Sequence, residues 1–214
     1  MPSRRHLLGQ ALAGAAGLAA AALPGLAPAQ GRANPMPESL RRALERDPTA
    51  PVLGNPQGDI TLTEFFDYNC AFCRKMVPTV QRLIGADPQL RVVFREWPVF
   101  GEGSDFAARA ALASLDQGKY WQFHAALMAL RGKVDEASTL RVAREVGLDE
   151  ARLKRDMGAA RVEDHISSSF ALGDHMGLMG TPSFIAGDEA LFGQQSFADM
   201  QALIARARAT LGQG

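Results

Sequence analysis

Only two of the 214 residues are cysteine, Cys70 and Cys73, so no framework of disulfides can staple this chain together. A bridge between the two would close a loop too small to stabilise a fold. Charge of one sign is also missing: 23 Lys+Arg stand against 23 Asp+Glu, a balance that excludes a nucleic-acid or other strongly charged partner held by surplus charge. Long apolar runs are absent as well. Ala11–Leu23 is unbroken Ala, Leu and Gly, but its thirteen residues fall short of the roughly 20 that a bilayer span needs. There is no internal repeat, no low-complexity tract, and no domain linker after residue 59. A structural zinc requires four ligands, and His124, His165 and His175 are not spaced near the cysteines. What is present is concentrated: both sulfurs lie in one tetrapeptide, Cys70-Ala71-Phe72-Cys73, directly after the apolar run Ile60–Phe66.

The N-terminal run has the form of an export leader. Ser3-Arg4-Arg5-His6-Leu7-Leu8 is a positive n-region, Ala11–Leu23 the apolar core, and Ala27-Pro28-Ala29 a small-x-small cleavage pattern, which predicts a signal peptide over residues 1–29. The paired arginines resemble a twin-arginine signal, with Leu7 where phenylalanine is usual. An uncut anchor or a simple amphipathic helix is the other reading of this stretch. Removing Arg4 and Arg5 with the leader leaves 21 Lys+Arg against 23 Asp+Glu, a formal charge of −2. About 185 residues then remain, enough for one domain that buries about 70% of its unfolded surface without disulfide support. Both cysteines are thus available for chemistry, and the leader places them in the periplasm.

The pattern along the chain predicts an α/β fold. Asn34–Asp47 reads as a short helix, with Leu40, Ala43 and Leu44 at helical spacing and Asp47-Pro48 as its stop. Pro51–Asp59 reads as a turn-rich linker, making residues 30–59 an N-terminal helix and linker. Ile60–Asp67 is a strand, a helix runs from near Cys70 to Ile84 with Pro78 inside it as an expected kink, and Leu90–Glu96 is a second strand. Strand, helix, strand implies a parallel pair with a right-handed crossover. Only helices follow, over Phe106–Gln117, Tyr120–Leu130, Glu136–Val146, Asp149–Met157 and Val162–Leu172. Thr181–Ile185 and Ala190–Phe192 form a hairpin, and a final helix carries Phe197, Met200, Leu203, Ile204, Ala207 and Leu211 on one face.

A C-x-x-C at a strand-to-helix junction makes one thiol acidic and lets it form a local disulfide. Cys70, at the helix N-terminus, is the expected nucleophile, since unpaired N–H groups and the helix dipole stabilise its thiolate. Cys73, one turn along, is the expected resolving thiol. A pair of inert core thiols and half of a metal site are the competing readings.

The segment Glu64-Phe65-Phe66-Asp67-Tyr68-Asn69-Cys70-Ala71-Phe72-Cys73-Arg74-Lys75 resembles the active-site stretch of the DsbA-like thiol–disulfide oxidoreductases, most of all their suppressor-of-copper-sensitivity branch. Val92–Pro98, Gly118–His124 and Gly180-Thr181-Pro182-Ser183-Phe184 extend the similarity over about residues 50–210. The resemblance implies a thioredoxin-like fold, residues 60–100 with 178–214, interrupted by a helical insertion over 101–177. It also implies that Thr181-Pro182 is a cis-proline loop facing the cysteines and orienting a substrate strand. In this likeness Glu64 is a buried acid of raised pKa that relays protons; a strand-edge acid reaching solvent is its other reading. The activity implied is disulfide exchange with envelope proteins, recycled by a membrane redox partner, with no dissociable cofactor and no metal. Ala71-Phe72 replaces the Pro-Tyr or Pro-His common in relatives, which leaves oxidase and isomerase directions both open. Self-association through residues 34–47 and packing of that helix on its own domain are likewise both open. Phe72 is expected to be exposed beside the cysteines, and His124 to be a histidine without chemistry. A different class of function, copper(I) buffering through soft sulfur such as Met176 and Met179, or chaperone-like binding, is the alternative.

Overall fold

The computed structural model describes residues 35–212; the leader assigned to residues 1–29 lies outside them. Five strands, β1 (Val52–Gly54), β2 (Ile60–Phe66), β3 (Leu90–Glu96), β4 (Ser183–Ala186) and β5 (Glu189–Phe192), form one sheet in the order β1-β3-β2-β4-β5. β2 and β3 are parallel, joined by helix α2 (Ala71–Ala86); every other pairing is antiparallel. Between β3 and β4 the chain makes only helices: α3 (Glu102–Ser114) with a 3-10 turn at Leu115–Gln117, α4 (Tyr120–Met128), α5 (Glu136–Glu145), α6 (Glu150–Asp156) and α7 (Ala160–His175). Helix α1 (Glu38–Glu45) precedes the sheet and α8 (Phe197–Leu211) follows it. This is the α/β, thioredoxin-like arrangement with a helical insertion that the sequence implied.

β2 is central and buried along its whole length, so its alternation assigns side chains to two different cores. Ile60, Leu62 and Phe66 join the main core with Met76, Val80 and Leu83 of α2 and Met200, Leu203 and Ile204 of α8. Phe65, on the opposite face, joins a smaller core with Leu44 of α1, Trp97, Leu172 of α7 and Ile185. α7 passes through Gly173, where a Cβ would stand 3.0 Å from the Trp97 ring, so glycine lets helix and indole meet. Beyond the ladder, Glu96 at the end of β3 is buried and bonded to two helices of the insertion. It accepts from Tyr120 Oη at 2.6 Å and lies 2.8 Å from His165 Nε2.

Two sequence expectations are corrected. The stretch read wholly as linker, Pro51–Asp59, contains β1, with Val52 opposite Val93; three residues are too few to show a period. Gly54 makes that edge fit: its φ is +74°, and a Cβ there would stand 2.4 Å from the Leu90 carbonyl oxygen. The first helix of the insertion begins at Glu102 rather than Phe106, with Glu102 and Asp105 as acids in its first turn. As expected, α2 runs through Pro78, and it ends at Ala86, two residues past Ile84.

Helix α1 packs on its own domain, through Leu40 and Leu44. Eight residues are too few to be helical alone, and two arginines of β3 cap its C-terminal end. Arg91 donates to the Glu45 carbonyl, and Arg95 donates to the carbonyls of Ala43 and Leu44. Arg95 is fully buried and pairs with Asp47 Oδ2 at 2.6 Å. Burial raises the Asp47 pKa, but hydrogen bonds from Thr49 and Arg95 outweigh it and leave the pKa below its ordinary value. Asp47→Ala strands a buried guanidinium and is expected to lower unfolding stability by about 3 kcal/mol at neutral pH, read from urea denaturation. A loss below about 1 kcal/mol would show that the helix carbonyls alone neutralise Arg95.

Candidate active site

The site begins where β2 stops. Asp67 turns the chain: its backbone carbonyl accepts from Cys70 N at 3.1 Å and its carboxylate from Asn69 N at 2.6 Å. Cys70 is thereby the N-cap of α2, with extended φ −77° and ψ 116°, and its sulfur takes the capping place usually filled by oxygen, 3.3 Å from Cys73 N. Arg74 locks the first turn, donating through Nε to Tyr68 O at 2.9 Å and through Nη1 to Leu130 O and Gly132 O at 3.2 and 2.8 Å. The structure holds both cysteines as free thiols; Cys73 is fully buried and Cys70 only 4% exposed.

The second half of the site comes from a distant part of the chain. The Thr181-Pro182 peptide bond is cis, and the Cys70 sulfur lies 3.2 Å from the Thr181 carbonyl oxygen. Ser183 Oγ donates to Gly180 O at 2.7 Å and Gly193 N to Pro182 O at 2.8 Å, fixing this loop to the β4–β5 hairpin. The Thr181 hydroxyl is buried with no partner within hydrogen-bond distance. Glu64 lies on the β2 face turned to the main core, opposite Phe184 and Phe94 in register, and is buried. The fold thus gathers all five residues singled out from sequence, Cys70, Cys73, Thr181, Pro182 and Glu64, at one end of the sheet.

Their electrostatics differ sharply. The Cys70 thiol is held down at about 6 from an ordinary 9: the Cys73 thiol hydrogen bond is the largest cause, burial opposes it, and the nearby Thr181 side chain and the Cys73 and Phe72 N–H groups add to the lowering. Cys73 is pushed far above its ordinary value by burial, then by its hydrogen bond to Cys70 and by the Cys70 and Glu64 charges. Burial, and next the Cys70 charge, push Glu64 up to about 8. Near neutrality the site therefore holds one thiolate, one thiol and one neutral carboxyl. His124 is buried, its Nδ1 3.1 Å from Tyr68 Oη, and burial lowers its pKa to about 3, so it stays neutral. Phe72 is 53% exposed, with the Lys75 ammonium 5.5 Å from its ring centre. Met176 packs against the smaller core whereas Met179 is 96% exposed. Sequence reasoning passed over Asp67, Asn69 and Arg74, which build the loop around Cys70. The Asp-x-Asn spacing before the cysteine was the available signal, since Asp and Asn side chains bond backbone two residues on.

A central parallel β2–α2–β3 unit, an antiparallel hairpin entered through a cis-proline and a C-x-x-C at the start of α2 together define a thioredoxin-fold protein. The chain belongs to the DSBA-like thioredoxin domain family, which it matches over residues 61–205. It is similar to a solved thioredoxin-like oxidoreductase from Silicibacter pomeroyi DSS-3, at 54% identity and a TM-score of 0.77, covering 79% of this chain and 98% of that one. The thiol–disulfide exchange protein alpha-DsbA2 from Wolbachia pipientis is 28% identical with a TM-score of 0.73, over 78% of this chain and 91% of that one. The catalytic domain of Proteus mirabilis ScsC, at 23% identity and a TM-score of 0.74 over 80% and 96%, shares the fold. Among curated proteins, Na(+)/H(+) antiporter NhaA 3 of Salinispora tropica is 27% identical over 161 residues, 74% of this chain. The chain spans about a quarter of the length of the curated relatives it matches. Among the described residues no helix is long and apolar enough to cross a membrane.

Two pH dependences follow. Iodoacetamide should modify Cys70 of the native reduced protein with a rate that rises through a midpoint near pH 6, while Cys73 stays unmodified; a midpoint near 9 would remove the stabilised thiolate. Glu64, with its folded pKa raised from 4.5 to about 8, contributes stability that is full below 4.5 and lost as pH rises toward 8. Glu64→Gln should therefore gain stability relative to the parent as pH rises from 4.5 to 8, and a flat difference in chemical denaturation would contradict the buried acid.

Proposed function

We propose that this protein is a thiol–disulfide oxidoreductase of the bacterial envelope, exchanging disulfides with other exported proteins through Cys70 and Cys73. The observation that carries the reading is the asymmetry of the pair: an acidic thiol at a helix N-terminus with a shielded, high-pKa partner one turn behind it. The names of the oxidoreductase and exchange protein to which the chain is similar support it, and the leader-like residues 1–29 support export.

The Cys70 thiolate attacks one sulfur of a substrate disulfide, forming a Cys70–substrate bond and expelling the other substrate sulfur as thiolate. Cys73 then loses its proton and attacks the Cys70 sulfur. The substrate leaves as a dithiol, and Cys70–Cys73 closes as a disulfide carrying the two-electron oxidation. Run in reverse, the same steps oxidise a substrate dithiol. Once Cys70 is bonded to the substrate its charge no longer helps to hold Glu64 protonated, and the ionised form of Glu64 accepts the Cys73 proton in one direction and returns it in the other. Thr181 and Pro182 present the carbonyl against which an extended substrate segment aligns beside Cys70. A thiolate stabilised this far below its ordinary pKa favours the dithiol form, which makes the disulfide form an oxidant. A membrane redox protein that reoxidises the dithiol completes the cycle.

Cys73→Ala should accumulate mixed disulfides through Cys70 on incubation with disulfide-bonded or glutathionylated proteins, visible on non-reducing gels and lost in Cys70→Ser. An absence of trapped adducts would sink the mechanism. Equilibration with glutathione is expected to give a potential less negative than about −200 mV; a value near −270 mV would reverse the proposed direction.

A further inference from the structure

The loop that carries Cys70 is fastened on its outer side to two separate stretches of the helical insertion. Asp67 is buried, and every group reaching its carboxylate is a donor: Asn69 N at 2.6 Å and Ser104 Oγ at 2.7 Å on Oδ1, Phe100 N at 3.0 Å on Oδ2. Asn69 grips Val134 at both backbone groups, accepting from N at 2.7 Å and donating to O at 3.0 Å, and Nδ2 also reaches Ser104 Oγ at 2.9 Å. A cleft of about 540 Å³ lies between these stretches, lined by Phe100, Glu102, Phe106, Lys133, Asp135 and Glu136. At its base a Cβ on Gly103 would stand 2.3 Å from the Val134 carbonyl oxygen, so only glycine lets the two walls come this close.

The chemistry of the cleft is one-sided. Phe100 is 55% exposed and Phe106 half-buried, giving it apolar walls. Glu102, Asp135 and Glu136 face a single ammonium, Lys133, for a formal charge of −2. The N-termini of α3 and α5 open here with about half a positive charge each, which offsets about one of these. About one negative charge remains. Asp105, Glu145 and Glu150 are each paired with an arginine, whereas Glu102 and Glu136 have no cation within ion-pair distance among the described residues. Asp135 is occupied in capping α5 through Ser138.

The geometry points to this cleft as a specificity site, where a substrate polypeptide lays the segment flanking its reacting cysteine and is preferred when that segment pairs a lysine or arginine with an apolar residue. This rests on the exchange activity proposed above. The occupant follows from continuity, because both walls are hydrogen-bonded to residues within three positions of Cys70. It follows also from charge complementarity and from the affinity of a cation for the faces of Phe100 and Phe106.

Three disulfide-bridged peptides of one length, with Lys-Phe, Ser-Phe or Glu-Phe flanks, test it through second-order rates of exchange with the full chain. At low ionic strength the cationic peptide should react about fivefold faster than the anionic one, the ratio falling toward one in about 1 M salt. Glu102→Gln combined with Glu136→Gln should bring the ratio toward one at low salt as well. Equal rates on the parent, a preference for the anionic peptide, or a preference surviving both substitutions would overturn the cleft. If the neutral peptide exchanges while all three rates coincide, only the cleft falls; if none exchanges, the activity beneath it falls too.

Discussion

The Cys70 sulfur is acidic because its residue is the last one before a helix. Its φ and ψ are still those of a strand, so the side chain folds back over the first turn and meets the Cys73 N–H that no backbone carbonyl can reach. A shift of one residue in either direction would replace this with a helix-interior or loop cysteine of ordinary acidity. The boundary is set from outside the tetrapeptide. β2 ends at Phe66, Asp67 caps the turn, Arg74 ties the first helical turn to Tyr68, and Asn69 ties the loop to Val134. The redox centre is thus a by-product of a well-specified strand-to-helix junction.

The same junction separates three acids by environment alone. Cys70 has several donors, Cys73 has one bond from the Asp67 backbone set against burial and the neighbouring Cys70 charge, and Glu64 has neither donors nor a cation. Burial is common to all three; hydrogen bonding decides which of them ionises. The chemistry is ordered by this contrast, with the charge placed on the sulfur nearest the Thr181–Pro182 loop and withheld from the one behind it.

Much of this was legible in the chain. The alternation of Ile60–Phe66 and Leu90–Glu96, the tetrapeptide between them and the helix-only block after them fixed the class of fold and named Cys70 and Cys73 from their residues. Thr181, Pro182 and Glu64 became visible only through family resemblance, because nothing in their local pattern says what they face. β1 stayed hidden, since three residues carry no period and its place depends on Gly54 meeting Leu90. Arg91 and Arg95 were hidden too: charged residues on a strand read as solvent-facing until a helix terminus is laid over them. Asp67 and Asn69 read as turn formers, and their long-range partners Ser104, Phe100 and Val134 lie in the insertion, beyond the reach of local reasoning.

The two halves of the redox centre stand 111 residues apart in the chain, with α2, β3 and the five helices of the insertion between them. Contacts so distant in sequence close late, because the entropy of a long loop must be overcome before they form. A chain still folding therefore has neither the Thr181 contact nor the burial that distinguishes the two sulfurs. Its cysteines are then two similar thiols, mostly protonated at neutral pH and slow to react. Nucleophilicity appears first with the start of α2, where Cys73 meets the Cys70 sulfur, and is completed when the β4–β5 hairpin docks on β2 and brings Thr181 beside it, so an incompletely folded copy is a poorer reagent and a weaker competitor for its own substrates. Reactivity in this protein is a property of the finished fold.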